Sequence, residues 1–319
     1  MKTNINRRHF VMAATFVPMA AAHAADAITK PTVIEGDWQK ESRPPIPKDP
    51  MPMGKIGRVE LSRLMLGGNL ISGYSHSRDL AYVSQLMKRY NTEFRIINTL
   101  EIAESQGINA INLSIWDNVS FLQKHWKNGG KMKLIAQALP STNLDQFKKA
   151  VDMGACGVHI QGHGAETLVE KGDLVEIRRI IEYLRSQKVL TGVAAHALSV
   201  IVECEKAGIE PDFYQKTLHS HDYPTAPRPG ESGDLGAYDN SWCKDPQAVI
   251  DFMATVKKPW IAFKVMAAGA IPPRKSFTHA FQNGADFILA GMFDWQIAED
   301  VRYIKEALLS IKRSRPWCG

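Results

Sequence analysis

From residue 63 onward the sequence alternates strand-like and helix-like segments eight times. The candidate strands are "RLMLGG" from Arg63, "INAINL" from Ile108, "KLIAQAL" from Lys133, "CGVHIQG" from Cys156, "LTGVAAH" from Leu190, "FYQKTLH" from Phe213, "WIAFKVM" from Trp260 and "FILAGM" from Phe287. Between them, "EFRIINTLEIAESQG" and "LVEIRRIIEYLRSQK" place apolar residues three and four apart, the period of an amphipathic helix. "SVIVECEKAG", "DPQAVIDFMATVKK" and "AEDVRYIKEALLSI" continue the series. Gly107, Gly154, Gly208 and Gly284 stand where helices stop, as C-terminal caps do. Eight β/α units in about 250 residues predict an α/β fold, a single-domain (β/α)8 TIM barrel. An open doubly wound sheet is the rival. No G-x-G-x-x-G follows the first strand, so a nucleotide cofactor is not expected.

The segment before the barrel has another purpose. "NRRHFVMAATFVPMAAAHAAD" carries paired Arg7 and Arg8, a short apolar run and a small-residue site at Ala22-His23-Ala24. This pattern predicts an export signal over residues 1–25. The arginine pair followed by Phe10 resembles a twin-arginine (Tat) signal, which implies the Tat export machinery as a partner and the periplasm as destination. Residues 26–53, with "ESRPPIPKDPMPMG", read as an extended, poorly ordered lead-in, and the barrel is expected over 54–319.

Composition then excludes several function classes. Loss of Lys2, Arg7 and Arg8 leaves 36 of the 39 basic residues against 33 acidic ones. No Lys/Arg-rich run with interleaved aromatics remains, so nucleic acid is not expected as a partner. No stretch after the signal is long and apolar enough for a membrane span in the mature protein. The four cysteines lack metal-ligand spacing. Cys156 and Cys204 fall in apolar patterns, and Cys243 and Cys318 could pair in an oxidising compartment.

Two βα connections are long, residues 69–92 and 219–244. In a barrel such loops lie on the C-terminal face, where activity sits. The second, rich in Gly, Pro and aromatics, reads as a lid over a substrate. Tyr238 and Trp242 on it could stack on a sugar face.

Strand side chains alternate, so parity sorts them. Asn112, Gln137, His159, Gln161 and His196 fall on the face away from the helices. For "WIAFKVM" the same reasoning turns Ile261, Phe263 and Val265 to the helices and Lys264 inward. In "FYQKTLH", one parity turns Tyr214, Lys216 and Leu218 inward and the other turns Gln215, Thr217 and His219 inward. Polar groups converging in a barrel normally filled by branched apolar residues need a ligand, a metal or a network.

Two chemistries fit. Three imidazoles, His159, His196 and His219, end successive strands and suit a divalent metal of the zinc type. His221 and Asp222 would be further ligands or their supports. No carboxylate lies on an inward strand face, which argues against a Mg²⁺ or Mn²⁺ sugar-isomerase site; Asp117, Glu166, Asp222 and Asp294 could supply one only from loops. Alternatively, Lys216 and Lys264 lie on adjacent strands. A neighbouring ammonium lowers a lysine's pKa and fits it for Schiff-base formation.

"KT" in the sixth strand, "FKVMAAGAIPPRKSFTHAFQNGAD" across the seventh and "GAD" opening the eighth resemble deoxyribose-phosphate aldolase and related class I aldolases. The resemblance implies a reactive lysine at Lys216 or Lys264. The sequence departs from that family in His219 and His221 and in lacking an evident phosphate-binding glycine pair. "KIGRVELSRLMLGGN" is similar to the opening hairpin and first strand of aldo/keto reductases. That family's Asp, Tyr, Lys and His set and late NADPH-binding pattern are not matched here. The whole pattern resembles exported barrel proteins known only by their Tat signal.

The sequence therefore predicts a periplasmic lyase or isomerase acting on a small sugar-like carbonyl compound, assisted by a metal. Asn112, Gln137 and Gln161 would hold hydroxyls, and Lys264 would be the base or oxyanion partner, with Lys216 and His159 as further catalytic candidates. The alternatives are a Schiff-base aldolase, an aldo/keto-reductase-like enzyme and a non-catalytic periplasmic binding protein. Between Lys216 and His219, the histidine is the expected inward residue.

Overall fold

A computed structural model of the chain describes residues 44–74, 76–228, 235–236 and 238–319. The expected export signal, most of the lead-in and part of the second long loop lie outside the described residues.

An antiparallel hairpin comes first, β1 (Met53–Ile56) and β2 (Val59–Ser62), turning at Gly57 with φ of 53°. Eight strands then close a parallel barrel: β3 (Leu64–Gly67), β4 (Ala110–Ser114), β5 (Lys133–Ala138), β6 (Gly157–Ile160), β7 (Leu190–Ala195), β8 (Phe213–Thr217), β9 (Trp260–Phe263) and β10 (Phe287–Ala290). Each pairs with its sequence neighbour, and β10 returns to β3. The (β/α)8 barrel expected from the sequence is the fold of this chain.

The first βα connection is itself helical. It holds α1 (Asn69–Ser72) and α2 (Val83–Tyr90), followed by α3 (Glu93–Ser105). The series continues with α4 (Ser120–Lys127), α5 (Asp145–Asp152), α6 (Gly162–Glu170), α7 (Leu174–Ser186), α8 (Leu198–Lys206), α9 (Pro246–Thr255), α10 (Pro273–Gln282) and α11 (Ile297–Ser310). Residues 44–52 form no regular element. They are nevertheless held down: Met51 is buried in the main core, and Pro45 and Asp49 accept hydrogen bonds from Gln106 and Lys305. No helix among the described residues is long and apolar enough to cross a membrane.

Two apolar layers explain the strand patterns. Ile111, Leu113, Val158, Ile160, Val193, Tyr214, Trp260 and Ala262 join the core between barrel and helices. A second cluster fills the barrel's N-terminal half: Ile56 and Leu61 from the hairpin meet Met65, Ile135, Phe213, Ile261 and Phe287. The hairpin is thus an apolar plug. Gly192 is needed in this interior, because a Cβ there would stand 2.4 Å from the Phe213 ring and 2.8 Å from the His159 Cβ.

The same clusters correct the reading of β9. Ile261 belongs to the interior with Phe263 packed against it, while Trp260 and Ala262 face the helices. Both faces of this strand are apolar, so hydrophobicity did not determine its parity.

The C-terminal tail locks the plugged end. Arg315 donates to Asp286 at 2.8 Å and to the carbonyls of Gly284, Val256 and Lys258. Asp286, fully buried, also accepts from the Trp260 amide at 2.9 Å. Trp317 lies under the guanidinium groups of Arg63 (3.9 Å) and Arg313 (3.4 Å). Both terminal nitrogens of Arg315 and both oxygens of Asp286 are hydrogen-bonded, which offsets the cost of burying the pair, and only Arg315 Nε is left without a partner. All four cysteines are free, so Cys243 and Cys318 do not pair.

Candidate active site at the barrel mouth

Parity brings most of the expected polar side chains together, above the apolar plug. His159 is fully buried on β6. Its Nε2 meets the Asn112 amide at 2.8 Å and its Nδ1 the Ile160 carbonyl at 3.1 Å. Burial pushes this imidazole down to about 4, so it is neutral at ordinary pH. Asn112 Nδ2 then donates to Nε2, and Nδ1–H donates to the carbonyl. Both ring nitrogens are occupied. Gln137 donates to the Ser114 hydroxyl at 2.5 Å. Gln161 turns aside to cap α6, its Oε1 accepting from the Gly164 amide at 2.9 Å. Gln215, also inward, has a buried Oε1 without a hydrogen-bond partner.

The end of β8 shows which parity holds. Gln215 and Thr217 share the inward parity of Phe213, whereas Tyr214 and Leu218 join the helix-side core. Lys216 has the parity of that outer set and is fully buried. Its Nζ donates to the Thr217 hydroxyl at 2.7 Å and carbonyl at 3.1 Å. Burial lowers its pKa from the ordinary lysine value. His219 does follow the inward parity, but it serves the backbone. Its Nε2 accepts from the amides of Trp242 and Cys243, both at 2.9 Å, and its Nδ1–H donates to the Ser220 carbonyl at 3.0 Å. His221 bonds the Cys243 carbonyl at 2.8 Å. Asp222 pairs with Lys275 on the surface.

The expected metal set is therefore not assembled. His159 and His219 have spent their nitrogens, and His221 and Asp222 fasten the lid loop. His196 alone joins a ligand-like cluster, with two residues from α6: His163, Glu166 and His196 have ligand atoms all within 4.8 Å of one another, the one such cluster among the described residues. Glu166 accepts the backbone amides of His196 (2.6 Å) and Ala197 (2.9 Å) and faces the His196 ring at 3.2 Å. Burial alone would raise its pKa, but these hydrogen bonds hold the carboxyl down to about 2. Burial also takes His196 down to about 4 despite Glu166. The pair is carboxylate and neutral imidazole.

Trp242, from the lid, is the hub of the mouth. Its ring lies 4.8 Å from that of His196, 6.0 Å from His163 and 5.3 Å from His76. The Lys264 ammonium sits 3.9 Å from its centroid. Tyr238, the other lid aromatic, is 67% exposed and stays apart from this group.

Lys264 reaches the mouth by leaving the strand alternation. It follows β9 with φ of 56°, and Ala267 and Ala268 are also left-handed, at 46° and 54°. Three non-glycine residues in this region within five positions form a strained turn, and such strain gathers at functional sites. The Lys264 Nζ meets His76 Nε2 at 2.5 Å, and His76 Nδ1 meets Asp239 Oδ1 at 2.7 Å. The Ser77 amide holds the other Asp239 oxygen at 2.9 Å. Burial lowers Lys264 to about 7, against the opposing charges of Asp239 and Glu166. Burial and Lys264 together lower His76. An amine half-deprotonated near neutrality, backed by an imidazole and a carboxylate, can take up a proton or attack a carbonyl.

Sequence reasoning did not single out His76, Asp239 or His163, and it named Glu166 only as a loop carboxylate. His163 and Glu166 did leave a trace, their three-residue spacing on one helix face. His76 and Asp239 left none, since their pairing spans 163 residues between two loops.

No protein-family model matches the chain, and no curated protein matches it. Among solved structures, a Pseudomonas aeruginosa protein provisionally described as an aldo-keto reductase aligns with a TM-score of 0.56 at 16% identity, covering 83% of this chain and 98% of that one. A sialic acid synthetase from Leptospira borgpetersenii aligns with a TM-score of 0.45 at 12% identity, covering 83% and 93%. At these identities the likeness is one of fold alone, that of the TIM barrel.

Proposed function

We propose that this protein is a lyase or isomerase of small, sugar-like carbonyl compounds, with Lys264 as the proton-transferring group at the barrel mouth. The observation that carries the reading is the chain Asp239–His76–Lys264, which places a largely desolvated amine beside an aromatic wall. A neutral lysine can remove the proton next to a carbonyl, and His76 can relay it. Asn112, Ser114 and Gln137 line the interior beneath and suit hydroxyl recognition. Trp242 offers a flat face for a sugar ring or chain.

The same amine could instead add to the carbonyl as a Schiff base. Burial lowers the pKa of both lysines, and Lys264 is favoured for this role because the Lys216 amine is fully buried and engaged by the Thr217 hydroxyl and carbonyl. Export to the periplasm rests on Arg7, Arg8 and the Ala22-His23-Ala24 site. It is tested by fusing residues 1–30 to a reporter with and without the arginine pair.

The function is tested with a panel of sugar-derived aldehydes, ketones and keto acids. Proton exchange at the α-carbon in D2O is followed by NMR for the wild type and Lys264→Met. Turnover or exchange lost in Lys264→Met supports the reading; full activity in the variant overturns it. Borohydride trapping separates the two mechanisms, since only the Schiff-base route leaves an adduct on Lys264.

A further inference from the structure

The cluster at the ends of β6 and β7 takes no part in the lysine relay, yet it is built as a ligand set. We infer that His163, Glu166 and His196 hold one divalent cation of the zinc class, keeping a coordination position for a carbonyl or hydroxyl oxygen of the substrate. As a cation site this stands independently. Its part in turnover rests on the carbonyl reading above.

Three observations converge on it. The first is spacing. His163 Nδ1 and Glu166 Oε2 are 3.1 Å apart, and His196 Nδ1 is 3.4 Å from the same oxygen. Tetrahedral zinc with bonds of about 2.0–2.2 Å puts its ligand atoms roughly 3.4 Å apart. Little movement is needed for all three to bind one ion.

The second is support. Glu166 Oε1 is fixed by the amides of His196 and Ala197, at 2.6 and 2.9 Å. Oε2 is left to face both imidazoles. This is the kind of outer hydrogen bonding that orients a ligating carboxylate. His163 and Glu166 lie one turn apart on α6, so the helix sets their separation.

The third is clearance. A Cβ on Gly162 would lie 2.9 Å from His196 Cε1 and 3.1 Å from its Nδ1. Glycine at this position lets the ring lie against the first turn of α6.

Two imidazoles and one carboxylate select a borderline transition metal; Mg²⁺ and Ca²⁺ favour all-oxygen sets. Two histidines and a glutamate with an open position also form a known catalytic zinc arrangement. Trp242 borders the cluster and carries Lys264 against its ring at 3.9 Å. A carbonyl polarised at the cation would be within the same mouth as the amine that moves its proton.

The test strips the full chain with a chelator, then titrates it with Co²⁺ alone, read by visible d–d absorption, and with Zn²⁺ alone by calorimetry. One equivalent is expected. His163 is 59% exposed at its side chain, so His163→Ala should fold normally, which a thermal melt checks. Glu166→Gln is the second variant; its amide oxygen can still accept the two backbone N–H groups. Both are expected to weaken binding by about a hundred-fold or more, beyond the 10–100-fold typical of an outer-layer partner. No stoichiometric binding by the wild type, or wild-type affinity in either variant, overturns the assignment. Loss of α-proton exchange in Lys264→Met, with cation binding unchanged, reports on the carbonyl reading separately.

Discussion

Replacing His219 by alanine should release the lid while leaving the barrel folded. The imidazole is fully buried, and its Nε2 holds the amides of Trp242 and Cys243, each at 2.9 Å. Alanine leaves two buried N–H groups without an acceptor, at about 1–3 kcal/mol each, or roughly 2–6 kcal/mol together. Protonation is a second, separate perturbation of the same side chain. Burial depresses His219 from 6.5 to about 4. A shift of that size, at about 1.4 kcal/mol per unit, corresponds to roughly 3 kcal/mol favouring the neutral, accepting form. The sign follows from linkage: the unfolded histidine takes up a proton below about 6.5 and the folded one only near 4. This stabilisation is complete above pH 6.5 and is lost as the pH falls toward 4. Hydrogen exchange at the Trp242 and Cys243 amides is the assay. His219→Ala should accelerate it at pH 7 by between about thirty-fold and roughly twenty-thousand-fold, with barrel-strand amides little changed. Unchanged protection at these two amides would refute the latch.

Further outcomes follow from the same geometry. Activity should fall as the pH drops through about 7, because Lys264 must be neutral to accept a proton or attack a carbonyl, and a pH–rate profile reads this limb. The groups facing Lys264 are His76, Asp239, Trp242, His196, His163 and Glu166. Asp239→Asn removes a charge that raises its pKa, so the limb should move to lower pH while kcat drops through loss of His76 orientation. Gly192→Ala places a methyl 2.4 Å from Phe213 and should destabilise by about 1–3 kcal/mol in denaturant melts. Gln215→Leu removes a buried acceptor that has no partner, so melts should show a neutral or stabilising change, in contrast to the cost of breaking a paired group.

The barrel was legible because its strands and helices keep their two periods over eight repeats. Where one face alone was apolar, as at Val158 and Ile160 or Ile111 and Leu113, parity identified the inward residues, and Asn112, His159 and His196 lie where it put them. At β9 both faces are apolar, since Ile261 meets the plug and Trp260 the helices. No alternation rule can separate two buried faces. Lys264 then reached the mouth through a left-handed backbone that no pattern of residue types announces. His219 was a different case. Its position and parity were readable, but whether an imidazole near a strand end accepts backbone amides or a metal depends on where the lid returns, some 23 residues later. His76 and Asp239 meet only through that same return.

The hairpin at the foot of the barrel also governs traffic. With Ile56 and Leu61 packed into the interior and the tail clamped beneath by Arg315 and Asp286, the vessel has one door. Whatever enters past Trp242 must leave past it. For the proposed reaction at Lys264, entry and exit would share this one end, beside Trp242 and the His219 contacts that hold it. The two ends of the cylinder are thus held by different means, one by apolar packing spread over many side chains and the other by a few hydrogen bonds centred on a single imidazole.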